Sequence, residues 1–346
     1  MIKVKPFFSS ITKFRTLPIM GVFILLMASF TIASPEVFTK PLIYLSFLQS
    51  IPPELIMALG LTLVITAGEI DLSFGSIIAL SGYILCYFIK AWNMPWLGLL
   101  CALGAGALVG YINGILVAKL KVPSIMATLA SQFFWFGVTV LLCGGLHVNI
   151  KEIKGHLLHT ILVGRIGGEF SGIPAQSLWA LGLAIFLWFI LNRHKFGEAI
   201  LFIGDNPDVA RVMGVNVERT KIMLFTVNGL IAGFAAVIYT LEMIQFYTIQ
   251  GAGSIMPVLA AVFIGGTSIA GGEGYIFGTF FGMFIIGSLE AGVVATGISQ
   301  FFPTKLITGL VMAGSVILNV VLENLRTRQK NYKKNVDKSL TSKKNE

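Results

Sequence analysis

The sequence predicts an all-α fold: a polytopic membrane helix bundle of about ten transmembrane helices with both termini in the cytoplasm. Of its 346 residues, 55% are hydrophobic and only 12% are charged, whereas soluble domains carry about a quarter charged residues. Apolar runs recur along most of the chain, and a run of roughly 20 apolar residues suffices to cross the hydrocarbon core. Basic residues gather in alternate connections, which is typical of membrane proteins.

Ten apolar runs are candidate spans. They comprise residues 17–34, 54–67, 72–89, 96–118, 123–143, 174–192, 220–241, 254–270, 275–296 and 303–323. The first run follows several basic residues, as in a signal peptide, but its length and the many later runs favour an uncleaved span. An even number of spans places both termini on one side of the membrane.

The basic residues orient these spans. With the N-terminus inside, 19 of the 25 Lys and Arg residues fall on the inner side. This asymmetry predicts a cytoplasmic arm at 1–16, a transmembrane domain at 17–325 with a long inner loop at 193–219, and a cytoplasmic tail at 326–346. The tail has little to bury, which predicts disorder. The net charge of +9 does not point to nucleic acid, because the basic residues form no single face.

Two of the candidate spans are unusual. The run at 54–67 is short, and the run at 254–270 is interrupted by Pro257, Gly265 and Gly266. Short or interrupted apolar segments are often discontinuous or re-entrant helices that line a solute path. The outer loop from Gly144 to Gly172 is also long enough to carry a short helix or to cap the mouth of a path.

Several chemistries lack the residues that they need. The sequence contains no GxxxxGK[ST] loop, so the chain is not expected to bind and hydrolyse ATP alone. It contains no GxSxG nucleophile elbow. His156 and His159 lie close together near Glu152 and Glu169, but a solvated loop is favoured there over a metal site. The sequence therefore predicts no catalytic residue, no metal and no resident cofactor.

The inner loop carries the signals of a short helix. Asp205 or Asn206 can cap a helix start, Pro207 suits the first turn, and Gly214 can end the helix about two turns later. Such a surface helix has two possible roles: it fills a loop, or it docks in a partner's groove.

The composition of this helix allows the second role. Ala210, Met213 and Val215 give it an apolar edge, opposite Asp208 and Arg211. An apolar edge of this kind is what a docking helix presents to a partner.

Three stretches together resemble one family. They are the inner loop, residues 60–76 (GLTLVITAGEIDLSFGS) and residues 260–274 (AAVFIGGTSIAGGEG). In their order, their spacing and the span pattern, they are similar to ribose-type ABC importer permeases, a family that also contains branched-chain amino acid permeases. The resemblance covers nearly the whole chain and implies a permease that imports a sugar-like solute.

The resemblance also implies partners. These are a cytoplasmic ABC ATPase that binds the ATP, an extracytoplasmic solute-binding protein, and a second copy of the chain or a homologous permease. It implies that the inner loop couples to the ATPase. The residues concerned are Gly204, Asp205, Asn206, Pro207, Ala210, Arg211, Met213 and Gly214.

The sequence departs from the family at one place. Many of its sugar permeases carry Tyr-Glu and an Asp just before the Gly-Gly-Thr stretch, where this chain has Ser254-Ile255-Met256-Pro257. The substrate therefore stays open among pentoses, hexoses, polyols and sugar-like signalling molecules.

Polar residues inside apolar segments are candidates for the translocation path. The candidates are Thr66, Glu69, Asp71, Ser73, Asn113, Gln132, Asn228, Gln245, Gly265, Gly266 and Thr267. An intramembrane carboxylate is costly unless it faces water, a partner or a path. Each polar residue has an alternative role as a hydrogen-bonding contact between helices, and Glu69 and Asp71 as solvated loop residues. Glu290 lies near the outer end of its span, where it meets either the solute or the lipid headgroups.

A rival class is an ion-coupled secondary transporter or channel for a small polar solute, in which discontinuous helices are equally natural. Such proteins usually carry ionisable residues inside several spans, and this chain offers few. An intramembrane enzyme would need a convergent catalytic constellation, and none is visible. Gly278 and Gly282 are expected to allow close helix packing.

Overall fold

Helices make up most of the part of the chain that the computed structural model describes. The structure describes residues 16–168 and 172–296, with single helical positions at 306, 309, 310, 313, 314 and 317. The predicted N-terminal arm up to residue 15, most of the run at 303–323 and the tail at 326–346 lie outside these residues.

The elements follow one another as helices with a few two-residue strands. The helices are α1 (Thr16–Ala33), α2 (Pro35–Phe38), α3 (Pro41–Ser50), α4 (Pro52–Thr66), α5 (Phe74–Trp92), α6 (Pro95–Ala118), α7 (Ser124–Cys143), α8 (Leu157–Val163), α9 (Ala175–Arg193), α10 (Lys195–Asp205), α11 (Pro207–Val212), α12 (Val217–Met243), α13 (Ile255–Ile264) and α14 (Ile276–Ala295). The strands are β1 (Val148–Asn149), β2 (Arg165–Ile166), β3 (Ile173–Pro174) and β4 (Gln245–Phe246). Strand β1 pairs with β4 and β2 with β3, both antiparallel.

The predicted membrane bundle is confirmed in its main features. Within the described residues, six helices are long and apolar enough to cross a membrane. They are α5, α6, α7, α9, α12 and α14, and each lies within a few residues of a predicted span. Counting the bent pair α3–α4 as one span gives seven. The chain is therefore a multi-pass membrane protein, while the count of ten and the orientation remain predictions.

The two unusual runs form short helices. Helix α4 has 15 residues and is almost entirely buried, and it meets α3 at a bend of 50°. Helix α13 has 10 residues and ends at Gly265. At 1.5 Å per residue neither spans roughly 30 Å of hydrocarbon alone. Each therefore ends inside or near the bundle, where its terminal backbone groups need partners.

Two features were not predicted. Helices α2 and α3 each begin at a proline and lie where no span was predicted, because the apolar segments there are short. Residues 195–205 form α10, whose N-terminus is capped by the ring nitrogen Nδ1 of His194, which accepts a hydrogen bond from the Phe196 amide at 3.1 Å. The inner loop is therefore two consecutive helices.

The long helix α12 defines the two ends of the bundle. Its 27 residues extend about 40 Å. Following the predicted orientation, the end that carries α10 and α11 is called the inner end, and the opposite end the outer end. At the outer end, Lys90 forms an ion pair with Glu152 and so holds the pKa of that carboxyl below its usual value. This pair ties the loop after α7 to α5.

Glycines bring the central helices into backbone contact. A Cβ added at Gly106 or Gly110 of α6 would collide with the backbone of α12, at the carbonyl oxygens of Gly229 and Phe225. The predicted close packing at Gly278 and Gly282 is confirmed, since a Cβ there would collide with the backbone around α13. Small residues that allow such approach are a usual basis of helix association in membranes.

Candidate functional site

The three stretches that carry the family resemblance meet at one point of the inner end. The Gly272 amide donates to the carbonyl oxygen of Thr66 at 2.8 Å, which joins the turn after α13 to the end of α4. Gly204, near the end of α10, lies against both: a Cβ there would collide with the Thr66 oxygen and the Gly272 nitrogen. A Cβ on Gly271 would approach the Gly204 oxygen to 2.8 Å and the Gly68 nitrogen to 2.9 Å. We call Thr66, Gly68, Gly204, Gly271 and Gly272 the glycine junction.

The predicted short helix of the inner loop is present as α11. Its cap is Asn206, whose side-chain oxygen accepts the amides of Asp208 at 2.9 Å and Val209 at 3.1 Å. Pro207 is its first residue, and Gly214 follows it with a φ of 85°. Asp205 ends α10 and is not the cap. The helix has six residues, slightly less than the two turns predicted.

The face that α11 exposes differs from the predicted one. Ala210 is fully buried in a small cluster with Ile203, Val217 and the partly buried Val215. That contact holds α11 against α10 and α12. The sequence could not assign this face because six residues are too few for periodicity to define it.

Of the predicted edge, Met213 is exposed, and Val209 and Val212 are exposed beside it. Val209, Val212 and Met213 are exposed by 53%, 89% and 59%. Arg211 pairs with Asp208 beside them, with 2.7 Å between nitrogen and oxygen. We call Val209, Val212 and Met213 the exposed edge.

Glu69 lies at the inner end of the bundle. It pairs with Lys221 at the start of α12, and both side chains are largely buried. The pair lines a cavity of about 260 Å³ together with Arg211 and Lys121. The break between α4 and α5 is therefore tied electrostatically to the segment that follows α11.

Four of the predicted path residues form a buried polar network instead of lining an open space. Asp71 accepts from the Ser73 amide at 2.9 Å, from the Ser73 hydroxyl at 2.6 Å and from the Asn228 side-chain amide at 2.9 Å. Asn113 donates to the Ser73 hydroxyl at 2.8 Å. Asp71, Ser73, Asn113 and Asn228 are at most 3% exposed. Asn113 Oδ1 has no hydrogen-bond partner among the described residues.

The remaining predicted path residues also have local partners. Gln132 accepts the Ser76 amide at 3.1 Å, and the Thr66 hydroxyl donates to the Thr62 oxygen at 2.6 Å. Thr267 accepts the Tyr275 amide at 3.3 Å. Gly265 packs against the start of α14, and Gly266 has a φ of 84°. Gln245 bonds to the Tyr247 hydroxyl at the outer end.

Sequence reasoning missed a group of polar side chains at the outer end. Gln176 donates to Glu242 at 2.7 Å and to the Gln49 carbonyl at 3.1 Å, and Gln49 donates to Glu242. Arg165 donates to the Gln49 side-chain oxygen at 2.6 Å. The Gln176 side-chain oxygen is buried and has no partner among the described residues. We call Gln49, Arg165, Gln176 and Glu242 the outer polar cluster.

Glu54 lies in the same part of the molecule. It accepts a hydrogen bond from Ser254 at 2.8 Å, and within the described residues it forms no ion pair with a cation. It lies within electrostatic reach of Glu290 and Tyr239. Glu290 is exposed and lines a cavity of about 520 Å³ between α3 and α14. A partly buried carboxylate that pairs with no cation among the described residues is a functional candidate.

The two histidines considered for a metal have structural roles. His156 accepts the Leu158 amide at 3.1 Å and so caps α8. His159 hydrogen-bonds the Leu241 backbone, and burial lowers its pKa. Across 16–168 and 172–296, no group of three His, Cys, Asp or Glu residues is placed to hold a metal ion.

Comparisons with known proteins agree with the pattern of spans and loops. The family model described as branched-chain amino acid transport system / permease component matches residues 43–321. The chain is 33% identical to the ribose import permease protein of Escherichia coli (strain K12) over 304 residues, 87% of this chain and 91% of that protein. It is 34% identical to the ribose import permease protein of Bacillus subtilis (strain 168), over 88% and 91% of the two chains.

A relative with a different printed solute is also similar. The fructose import permease protein of Rhizobium meliloti is 32% identical over 79% of this chain and 76% of that protein. These relatives share their role as import permeases and differ in the sugar that their names state. The shared architecture therefore does not by itself define one sugar.

The buried polar network yields a stability prediction. Replacing Asn228 by Leu removes the donor to Asp71 Oδ2 and leaves a buried carboxylate oxygen unsatisfied, which costs roughly 1–3 kcal/mol. We expect a lower midpoint of thermal unfolding in detergent, measured by size-exclusion chromatography after heating. Thr226→Ala on the same helix removes only a hydroxyl bond to the Ile222 carbonyl and serves as the control. Equal midpoints for the two variants would contradict the network's role.

Proposed function

Because the chain belongs to the branched-chain amino acid transport system permease family, we propose that it is the membrane-spanning permease of a binding-protein-dependent ABC importer that moves a sugar or sugar-like solute inward. The observation that carries the proposal is the convergence of the glycine junction and α11 at one end of the bundle, opposite the outer polar cluster. A permease of this kind is a transport component and not an enzyme.

The proposal assigns the energy source to other chains. The sequence contains no phosphate-binding loop, so a cytoplasmic ATPase supplies the energy by hydrolysing ATP. An extracytoplasmic binding protein delivers the solute, and a second permease, identical or homologous, completes the membrane part. In this arrangement the chain spans the inner membrane of a bacterium about ten times with both termini in the cytoplasm. Support for this orientation comes from the distribution of the basic residues.

The exposed edge of α11 is the proposed contact with the ATPase. Val212 and Met213 are apolar and exposed at an end of the molecule where the neighbouring side chains are charged. An apolar edge on a short helix fits a groove in a partner protein. Ala210 is the inward anchor of this helix and does not itself touch the ATPase.

The outer polar cluster and Glu54 are the proposed first contacts of the solute inside the permease. Amide and carboxylate groups offer both donors and acceptors, which neutral polyhydroxyl molecules need in place of water. No described residue donates to the buried Gln176 side-chain oxygen, and a solute hydroxyl can do so. The buried polar network then supports the wall of the path from behind, because its members bond to one another.

An ion-coupled transporter is not favoured. The relatives in the comparisons are import permeases by name. The buried Asp71 carboxylate, a natural candidate for ion coupling, is engaged by three donors from Ser73 and Asn228.

Reconstitution tests the function directly. Purified chain in liposomes should neither hydrolyse ATP nor accumulate labelled ribose or fructose. Addition of its ATPase inside and its binding protein outside should produce ATP-dependent uptake of a sugar from that panel or of another polyol. Uptake by the chain alone, driven by a Na⁺ or H⁺ gradient, would refute the ABC reading.

Site-directed crosslinking tests the docking face. Single cysteines at Val212 and Met213, in a background lacking Cys86, Cys101 and Cys143, should crosslink to the ATPase with a short bifunctional reagent. A cysteine at Ala210 is the matched control: it lies on the same helix but is fully buried, and it should not react. Crosslinks from Ala210 alone, in an actively transporting complex, would assign the contact to the opposite face.

Substitution of Glu54 tests the solute contact. Glu54→Gln keeps the shape and removes the charge, and the loss of one charge-assisted hydrogen bond is worth about 1.5–3 kcal/mol. We expect the sugar concentration at half-maximal uptake to rise roughly ten-fold or more. Glu36→Gln, an exposed position at the outer end, should leave uptake unchanged. Unaltered uptake by Glu54→Gln would remove this residue from the path.

A further inference from the structure

The glycine junction joins three segments through their backbones. Thr66 is the last residue of α4, so no amide of that helix donates a hydrogen bond to its carbonyl oxygen. The Gly272 amide satisfies that oxygen at 2.8 Å. Gly204 lies so close to both groups that no side chain fits between them. The contact is therefore made by peptide groups, with no flexible side chain between the segments.

The conformation of the turn after α13 fits this contact. Gly271 and Gly272 have φ values of 87° and 77°, which residues other than glycine rarely adopt. A Cβ on Gly272 would approach the Cα of Asp205 to 3.2 Å. On the other side of Thr66, a Cβ on Gly274 would collide with the threonine hydroxyl. The end of α4 is thus enclosed by α10 and by the turn that leads into α14.

Each partner in the junction leads to a different part of the molecule. Gly204 precedes the first residue of α11, Pro207, by only three positions. Thr66 ends the helix that carries Glu54 near its other terminus. Gly272 lies just before α14, the helix of Glu290. The exposed edge is thus linked to α4 and α14, the two helices that carry outer carboxylates. The link consists of the few residues between Gly204 and α11 and of the backbone contacts at the glycine junction.

A second connection runs from α11 through Ala210 to α12, but α12 is poorly placed to move alone. Its glycine contacts with α6 bring the two backbones together along several turns, as at Gly106 and Gly229. A displacement of α12 would have to carry α6 with it. Helices α4 and α13 are shorter and end at breaks that lead directly into the glycine junction.

We propose that Gly204 is a positioning residue for transport: because it lacks a side chain, α11, the end of α4 and the turn at 265–275 move as one body when the ATPase displaces α11. This inference rests on the proposed importer function. In this proposal, the displacement of α11 by the ATPase reaches α4 through the backbone contact at the break after α4. The residue that must lack a side chain is Gly204, which lies outside α11.

Alanine substitution tests whether position 204 must lack a side chain. In the complete reconstituted complex, Gly204→Ala should keep ATP hydrolysis within about two-fold of the unsubstituted complex and lower the sugar transported per ATP at least ten-fold. Gly182→Ala on α9 is the matched control, because a Cβ there meets nothing within 4 Å. It should leave the transport ratio unchanged. An unchanged ratio for Gly204→Ala, with normal assembly, would overturn the proposal.

A disulfide tests the rigid movement in a protein that keeps Gly204. The Cβ of Asp205 lies 3.4 Å from the position that a Cβ on Gly272 would take, close to the separation of about 3.5–4.5 Å in disulfides. The pair Asp205→Cys with Gly272→Cys, in a background without the native cysteines, should form its disulfide to the same extent in the resting complex and in the ATP-bound complex, because the two segments stay in contact. The extent is read on a gel and does not require the Gly272→Cys chain to transport. A disulfide that forms in the resting complex and not in the ATP-bound complex would show that the junction opens during the cycle and would overturn the proposal.

The two levels of inference fail differently. If the unsubstituted complex shows no ATP-dependent uptake of any sugar in the panel, the importer function fails. If that complex transports and Gly204→Ala transports equally per ATP, only the role of Gly204 fails. If Gly204→Ala does not assemble with the ATPase, the disulfide pair decides the question.

Discussion

The structure depends on one constraint: a helix that stops within a membrane bundle must find partners for its last backbone groups inside the protein. The hydrocarbon core has no water to satisfy them, and each unsatisfied group costs several kcal/mol. At the break after α4 the Thr66 oxygen finds the Gly272 amide. The Ile70 and Leu72 amides find the hydroxyls of Ser124 at 3.2 Å and Thr128 at 3.0 Å. The backbone groups left unpaired at the break after α4 are therefore satisfied by α7 and by the turn before α14.

The same constraint explains the positions of the polar residues. Asp71 follows the break and accepts the Ser73 amide at the start of α5, where an unpaired donor would otherwise remain. Once a carboxylate is placed there, its second oxygen also needs a donor, and Asn228 reaches it from α12. Gly60 allows this approach, because a Cβ at that position would lie 2.7 Å from the Asn228 side chain. One break thus determines residues on two other helices, α7 and α12.

The sequence was sufficient for the features that depend on local pattern. Apolar runs predicted the long helices, and the Asn206-Pro207 pair predicted the start of α11. It was insufficient wherever the answer depends on which residues face each other. The same types of polar residue occur within spans whether their side chains face a solute path or face one another. In this structure most of them face one another. The outer polar cluster combines residues 49, 165, 176 and 242, which no motif or spacing connects. Only the packing of α3, α9 and α12 brings them together.

A contrast between the two ends follows from this packing. At the inner end, the charged Glu69 has a cationic partner, and the breaks are joined by peptide groups that permit little independent movement. At the outer end, Glu54 has a hydroxyl partner, and the Gln176 side-chain oxygen has no donor within the described part of the chain. Unsatisfied polar groups make a conformation less stable than a rearranged or occupied one. A displacement that starts at the inner end is therefore expected to produce a rearrangement at the outer end, where a solute can satisfy the polar groups.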